Sequence, residues 1–183
     1  LHHDGSIPKD NPRPDGWAPE ILSKGHRNPQ GLAIHPDTGA LWSHEHGPRG
    51  GDEINVITGG DNYGWPTVSH GKEYIGGTIG IGTSAPGFAD PAWVWTPSIA
   101  PSGMAFYKGA MFPRFNGHLL VGSLKFKRLY LVRLSAGVPQ DELVILDGSI
   151  GRVRDVAVAP DGAILLLSDE ADGGLYRLAE AGQ

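Results

Sequence analysis

The 183-residue chain contains no cysteine and only two methionines, and its charged side chains leave a formal net charge of −5. The absence of cysteine excludes a disulfide framework and a thiolate metal site. The negative charge argues against nucleic acid or an anionic membrane surface as a partner, because those ligands need a dense basic face. No apolar run reaches the roughly 18 residues of a membrane-spanning helix, so we also expect no membrane span.

Glycine and proline are abundant instead, with 28 and 15 copies. Both residues are unfavourable inside helices, so the composition favours an all-β chain rich in turns. Residues 31–43 and 154–168 share one pattern: a short apolar strand, a turn with Pro, Asp and Gly, and a second strand that ends in Ser. A looser copy covers 102–123. The pattern predicts a repeated antiparallel unit.

Repeated antiparallel meanders of this length are typical of β-propeller blades. We therefore predict an all-β fold, a β-propeller of antiparallel four-stranded blades. The chain accounts for about three blades, and closed propellers have about four to eight. Because an open ring would leave strand edges unpaired, we expect these blades to belong to a larger, six-bladed ring. The predicted inner strands lie near 31–35, 102–107 and 154–159, and the predicted core includes Phe106, Leu119, Val121, Leu165 and Leu167.

The segment 25–32 places a cation and an amide, Arg27 and Asn28, just before an apolar strand. A loop at a strand end with these groups could hold a ligand carboxylate. Gly47 and Pro48 then form a turn whose backbone carbonyls a hard cation such as calcium would accept. An anion site beside a cation site suggests a multiply charged cofactor bridged by a metal.

The segments 25–32, 43–55 and 62–66, in this order and spacing, resemble the cofactor face of the glucose/sorbosone dehydrogenase family. These soluble quinoproteins use pyrroloquinoline quinone (PQQ). The resemblance extends over nearly the whole chain and is strongest over 25–66 and 98–162. It implies oxidation of the anomeric carbon of aldose sugars to lactones by hydride transfer to PQQ, with an external electron acceptor. A periplasmic or secreted location follows from the habit of the family.

The resemblance also implies a domain assignment. Residues 1–183 would be the C-terminal part of a single β-propeller domain, and residues 1–11 would be the tail of a preceding blade. In the family the general base for the sugar hydroxyl is a histidine of an early blade. None of the eight histidines here lies in the corresponding motif, so we expect the base upstream of residue 1 and expect these residues alone to be inactive.

By resemblance, cofactor binding is assigned to Arg27, Asn28, His46, Tyr74, Lys125, Arg152 and Arg154. Arg27 would also be catalytic, because it would polarise a quinone carbonyl as hydride arrives. His46 stands where a glucose dehydrogenase of the family has glutamine, and its imidazole can donate to a quinone or sugar oxygen. PQQ is a tricarboxylate, so the basic residues would offset its charge.

The resemblance implies two calcium sites. Main-chain oxygens of Gly47 and Pro48 would bind the calcium that contacts the cofactor. Glu53 and Tyr63 would bind a second, structural calcium through a carboxylate and a tyrosine carbonyl.

Simpler readings and other functions stay open at this point. Arg27 and Lys125 could be solvated cations, and Arg152 and Arg154 could form a surface stripe, because they alternate on one strand. His44 and His46 flank Glu45 at a spacing that zinc ligands sometimes have. A calcium-dependent hydrolase of the lactonase type and a non-catalytic binding module are the alternative propeller functions.

Overall fold

The computed structural model describes residues 1–12 and 14–180. Its strands are β1 (Pro29–Ile34), β2 (Leu41–Glu45), β3 (Asp52–Ile57), β4 (Trp93–Trp95), β5 (Pro101–Phe106), β6 (Leu119–Ser123), β7 (Arg128–Ser135), β8 (Val138–Asp147), β9 (Val153–Val158), β10 (Ile164–Ser168) and β11 (Leu175–Leu178). One short 3₁₀ helix covers Pro113–Phe115. None of the helical structure in these residues has the length and apolar character needed to cross a bilayer.

The strands form three antiparallel sheets in chain order, β1-β2-β3-β4, β5-β6-β7-β8 and β9-β10-β11. The first two confirm the predicted four-stranded sheets, whereas the third has three strands in the described residues. The Pro-Asp-Gly turns join β1 to β2 and β9 to β10. They close through glycine at positive φ, +71° at Gly39 and +88° at Gly162, a conformation that glycine adopts without steric cost.

The strands β1, β5 and β9 are the inner strands and lie close to the predicted positions. Consecutive sheets meet along them. The contact between β5 and β9 is tight, because a Cβ at Gly103 would lie 2.5 Å from the Cα of Asp155. The Ser102 hydroxyl donates to the Val153 carbonyl at 2.6 Å and ties the same two strands. The sheets are therefore arranged as neighbouring blades.

Two apolar clusters fill the spaces between the sheets. The first sheet contributes Trp42 and Ile54 and packs on the second, and the second packs on the third through Ile164 and Leu166. Of the predicted core residues, Leu119 and Val121 are fully buried, and Phe106 and Leu165 are half-buried. The prediction for Leu167 is wrong, since its side chain is 42% exposed. It alternates with buried Leu166 and points to the opposite face of the third sheet.

Candidate functional site

The predicted cofactor residues precede or follow strands at one end of the three sheets. Arg27 and Asn28 come just before β1, Lys125 follows β6, and Arg152 and Arg154 flank the first residue of β9. Antiparallel pairing of β5 with β6 brings the end of β6 back to the start of β5. We call this end of the sheets the basic end. It gathers the predicted backbone positions, although the side chains have different partners.

Arg27 is half-buried and held by its side chain as well as its backbone. Its Nη1 donates to the His46 carbonyl at 2.9 Å, and its guanidinium carbon lies 5.3 Å from the Trp65 ring centroid. The backbone N–H groups of Arg27 and Asn28 both donate to the carboxylate of Glu45. Asn28 itself is exposed. The geometry therefore fixes the direction of Arg27 more strongly than that of the Asn28 side chain.

The orientation of His46 restricts what its imidazole can do. Its Nε2 lies 2.7 Å from the Pro101 carbonyl oxygen. Because a carbonyl can only accept, Nε2 carries the hydrogen, and Nδ1 of the neutral ring is an acceptor. The neutral ring can therefore accept from a sugar hydroxyl. The expected donation to a quinone oxygen would need the protonated ring.

The Gly47–Pro48 turn presents unused carbonyl oxygens. No donor in residues 1–12 or 14–180 hydrogen-bonds to the carbonyl of Gly47 or of Pro48. A Cβ at Gly47 would lie 2.2 Å from the Gly50 carbonyl oxygen, so the turn closes this tightly only with glycine. Free carbonyls in a rigid turn are ligands that calcium accepts.

Asp52 fixes this turn and was not identified by the sequence reasoning. Its buried Oδ1 accepts from the Gly47 N–H at 2.9 Å. Its Oδ2 accepts from the Ser98 hydroxyl at 2.6 Å and from the Ile99 and Ala100 N–H groups at 2.8 and 2.9 Å. One carboxylate therefore links the turn to the loop that leads into β5. An acidic residue directly after two glycines was the only local signal.

Glu53 and Tyr63 line one pocket, together with Arg27, His46 and Gly47. The pocket is small, with a cavity of about 20 Å³ that is partly open to solvent. Burial, and after it the charges of Glu45 and of Asp52, together raise the pKa of Glu53 to about 7. Glu45 is directly opposite Glu53 in the β2–β3 register. A cation in this pocket would relieve that repulsion.

The Tyr63 hydroxyl is occupied and leaves its carbonyl as the group available to a cation. The hydroxyl donates to the Val56 carbonyl at 2.6 Å and accepts from the Thr58 N–H at 3.0 Å. Across the part of the chain that the structure describes, no three His, Cys, Asp or Glu side chains are grouped to hold a metal ion. Calcium at Glu53 would thus depend largely on carbonyl and water oxygens.

Lys125 is exposed and lies in a groove beside the Gly47–Pro48 turn. The groove is also lined by Pro48, Arg49, Lys72 and Ser98, so among the described residues three cations and no acidic residue line it. Tyr74 is 68% exposed, and its carbonyl accepts from Arg49 Nη1 at 3.2 Å. The basic groove next to free carbonyls suits an anion that shares a calcium ion.

Arg152 and Arg154 share one acidic partner. Arg152 Nε and Arg154 Nη2 donate to Asp169 Oδ2 at 3.0 and 2.8 Å. The hydrogen bonds from Arg154 and from Arg152 lower the pKa of Asp169. Neither arginine lines the Arg27 pocket or the Lys125 groove. Their charge is therefore half neutralised, which the sequence pattern did not indicate.

The zinc interpretation of His44, Glu45 and His46 gains no support. Within the described residues both ring nitrogens of His44 are buried without a partner, and burial lowers its pKa to about 4. Glu45 already accepts four N–H groups. Successive strand residues also point to opposite faces, which separates Glu45 from both histidines.

Comparison with known proteins gives consistent matches over the chain. The family model described as Glucose / Sorbosone dehydrogenase matches residues 1–177. The aldose sugar dehydrogenase YliI of Escherichia coli is 42% identical over 183 residues, which cover 98% of this chain and 49% of that protein. The chain spans about half the length of the curated relatives it matches.

Solved structures agree with these matches. A crystal structure of a glucose dehydrogenase superposes with a TM-score of 0.94 at 44% identity, covering 99% of this chain and 54% of that one. The PQQ-bound aldose sugar dehydrogenase of Streptomyces coelicolor superposes with a TM-score of 0.75 at 29% identity, covering 97% and 49%. Because the family model covers nearly all of the chain, the protein belongs to the glucose/sorbosone dehydrogenase family.

Proposed function

We propose that this chain forms the cofactor-binding part of a quinoprotein that oxidises the anomeric carbon of aldose sugars to lactones. PQQ, when bound, supplies the hydride acceptor. The observation that carries the proposal is the pairing, at the basic end, of free Gly47 and Pro48 carbonyls with cations on either side. A tricarboxylate with a bound calcium needs both kinds of group.

Arg27 is the residue we assign to polarising the cofactor. Its guanidinium is anchored through Nη1 and stacked near Trp65, which leaves its other N–H groups for an acceptor oxygen in the pocket. A preorganised cation in a partly dry site stabilises developing negative charge more than a mobile one would. Asn28, Tyr74, Lys125, Arg152 and Arg154 keep their predicted binding roles as part of this proposal.

The histidines near the pocket do not stand in the family motif for the general base. His44 is fully buried, and its pKa is lowered to about 4. Both ring nitrogens of His26 are hydrogen-bonded, to Glu45 and Ser23, whereas His46 keeps an acceptor nitrogen, Nδ1, without a partner among the described residues. We therefore propose that the base comes from outside residues 1–183, in line with one larger propeller domain of which these sheets are a part.

Calcium is assigned to two places, Gly47–Pro48 and Glu53–Tyr63. The first depends on the cofactor for its remaining oxygens. The second needs only groups within the first sheet and the loop after β3. An external electron acceptor and a periplasmic or secreted location complete the proposal, and both come from the family resemblance.

The test uses the purified protein that contains these residues, freed of metal and then given calcium and PQQ. We expect uptake of one PQQ per protein and reduction of a dye when an aldose is added. Arg27→Gln should bind less PQQ and reduce the dye more slowly. Arg114→Gln, a change far from the basic end in the 3₁₀ helix, serves as the matched control.

Three outcomes separate the candidate functions. PQQ uptake with aldose-dependent dye reduction supports the dehydrogenase. Calcium-dependent lactone hydrolysis without PQQ uptake would favour a lactonase-type hydrolase. Neither activity, with intact folding, would leave a non-catalytic binding module and contradict the proposal.

A further inference from the structure

We propose that Glu45 is the positioning residue of the cofactor site and acts through Arg27. This inference rests on the proposed function and adds to it a residue that binds no cofactor itself. Glu45 is the last residue of β2, and its side chain is 6% exposed. A carboxylate this deeply buried is costly unless every lone pair finds a donor.

One carboxylate oxygen of Glu45 holds the loop that carries Arg27. Its Oε2 accepts the consecutive N–H groups of Arg27 and Asn28, the latter at 3.1 Å. These residues precede β1, which begins at Pro29, so no strand ladder is available to these amides. Two adjacent amides on one oxygen fix the backbone direction at Arg27.

The other oxygen fixes the carboxylate itself. Glu45 Oε1 lies 3.2 Å from His26 Nδ1 and accepts from Asn55 Nδ2 at 3.1 Å. The His26 ring stacks on Tyr63 with centroids 4.6 Å apart. Glu45 is therefore anchored to β3 through Asn55, and His26, which belongs to the same loop as Arg27, is itself held against Tyr63 in the loop after β3.

His46, the residue after Glu45, also holds the Arg27 loop through its backbone. The His46 carbonyl accepts from Arg27 Nη1 at 2.9 Å, and the His46 N–H donates to the Asn28 carbonyl at 3.1 Å. Backbone and side chain of Arg27 are thus set by two consecutive residues at the end of β2. Prior ordering of this kind lowers the entropy lost when a ligand binds.

An amide at position 45 should largely preserve this geometry. The oxygen of Gln could accept the two loop N–H groups, and its NH₂ could donate to Asn55 after a flip of that side chain and to His26 Nδ1 when the neutral ring carries its hydrogen on Nε2. Asn55 Oδ1 is buried and unpartnered among the described residues, so it is free to accept. Alanine has no acceptor, and aspartate is one methylene too short to span the gap.

The test measures PQQ dissociation constants in the presence of calcium, together with hydrogen exchange of the Arg27 and Asn28 amides in the cofactor-free protein. Glu45→Ala should weaken PQQ binding roughly 10- to 100-fold, as loss of other positioning partners does. It should also deprotect the two amides. Glu45→Gln should stay within about fivefold of the wild type. Ser43→Ala, on the same strand as Glu45, removes a part-buried hydrogen bond to the Gly31 carbonyl of β1 and should leave both readouts unchanged.

A double-mutant cycle decides whether Glu45 acts through Arg27. Arg27→Gln should weaken binding strongly alone but add less than about threefold in the Glu45→Ala background. Multiplicative effects, or Glu45→Ala binding like the wild type, would overturn the inference. If Glu45→Ala does not fold, Glu45→Asp takes its place in the same cycle.

A wild type that takes up no PQQ would refute the proposed function separately. Hydrogen exchange of the Arg27 and Asn28 amides would still test the positioning role of Glu45 in that case. Deprotection confined to residues 26–28 supports the positioning role, and unchanged protection refutes it.

Discussion

Two ionisable side chains of the first sheet, half-buried Glu53 and fully buried His44, have opposite pKa shifts. Burial raises the pKa of Glu53 to about 7 and lowers that of His44 to about 4. Each shift favours the neutral form, which is the form that a low-dielectric site tolerates. Glu53 faces a pocket in which a cation could bind, whereas His44 is fully buried, with a Cβ at Gly31 only 2.5 Å from its Nε2. Burial therefore prepares Glu53 to bind a cation, whereas at His44 it affects the pH dependence of folding stability.

The calcium prediction concerns Glu53. Calcium should raise the melting temperature of the cofactor-free protein, because an ion that binds only the folded state stabilises it. Glu53→Gln should abolish most of this increase, since it removes the charged ligand. Differential scanning calorimetry with calcium and with a chelator measures the effect, and exposed Glu73→Gln is the matched control. An unchanged calcium response in Glu53→Gln would show that the metal binds elsewhere.

The pH prediction concerns His44. Its pKa falls from 6.5 to about 4 on folding, so between these values the unfolded chain binds a proton that the folded protein does not. Stability should therefore decrease as the pH falls from 6.5 towards 4, by roughly 3 kcal/mol at most. His44→Leu should remove this decrease. It should not destabilise the protein at pH 7, because leucine leaves no buried nitrogen unpaired.

Urea unfolding at several pH values measures the difference between the wild type and His44→Leu. The raised pKa of Glu53 contributes a slope of opposite sign between 4.5 and about 7, but it is common to both proteins and cancels. Parallel stability curves for the two proteins would contradict the prediction.

At the scale of elements, the ends of β2 and β3 organise the site through two carboxylates. Glu45 at the end of β2 holds the loop before β1, and Asp52 at the start of β3 holds the Gly47–Pro48 turn and the loop before β5. In each case an acidic side chain satisfies backbone N–H groups that no strand ladder can reach. The loops at the basic end are therefore ordered by buried carboxylates and not by strand pairing.

The element-scale prediction is that Asp52→Asn destabilises the protein by about 3 kcal/mol, because an NH₂ group would replace one oxygen and face N–H donors in a buried site. Denaturant unfolding measures the loss. Asp147→Asn, in an exposed pair with Arg128, should shift the unfolding midpoint far less. Equal shifts for the two variants would show that Asp52 contributes no more to stability than a residue of an exposed ion pair.

At the scale of the whole molecule, three sheets approach one another along β1, β5 and β9, and the basic groups lie at one end of that contact. The formal net charge is −5, yet in the part of the chain that the structure describes three cations and no acidic residue line the groove beside Lys125. Close approach of the inner strands makes this clustering of cations possible, because it brings residues of different sheets to one surface. The tightest approach is at Gly103.

The whole-molecule prediction is that Gly103→Ala separates β5 from β9. The added Cβ would lie 2.5 Å from the Asp155 Cα, a backbone atom that cannot move alone. We expect a loss of about 3 kcal/mol or more in the free energy of unfolding. Gly174→Ala is the control, because its Cβ would meet only the exposed Tyr176 ring at 3.1 Å. Chemical denaturation of both variants is the measurement, and a loss no larger than that of Gly174→Ala would refute the prediction.

Local patterns in the chain were enough to predict the family, the all-β class and the inner strands, and the predictions near 31–35, 102–107 and 154–159 lie close to β1, β5 and β9. These features depend on local signals, strand alternation and Pro-Asp-Gly turns, that a short window contains. The order and spacing of the motifs between 25 and 66 carried the family resemblance. All of this information is contiguous in the chain.

The contacts between distant residues could not be predicted from these patterns and became visible in the folded chain. Asp52 bonds residues 46 to 48 positions away, and Glu45 bonds amides 17 and 18 positions before it. The burial of His44 and the exposure of Leu167 depend on which face of a sheet another sheet covers. Strand alternation predicts two faces but does not identify the covered one, because packing between sheets is a long-range property that no local pattern contains.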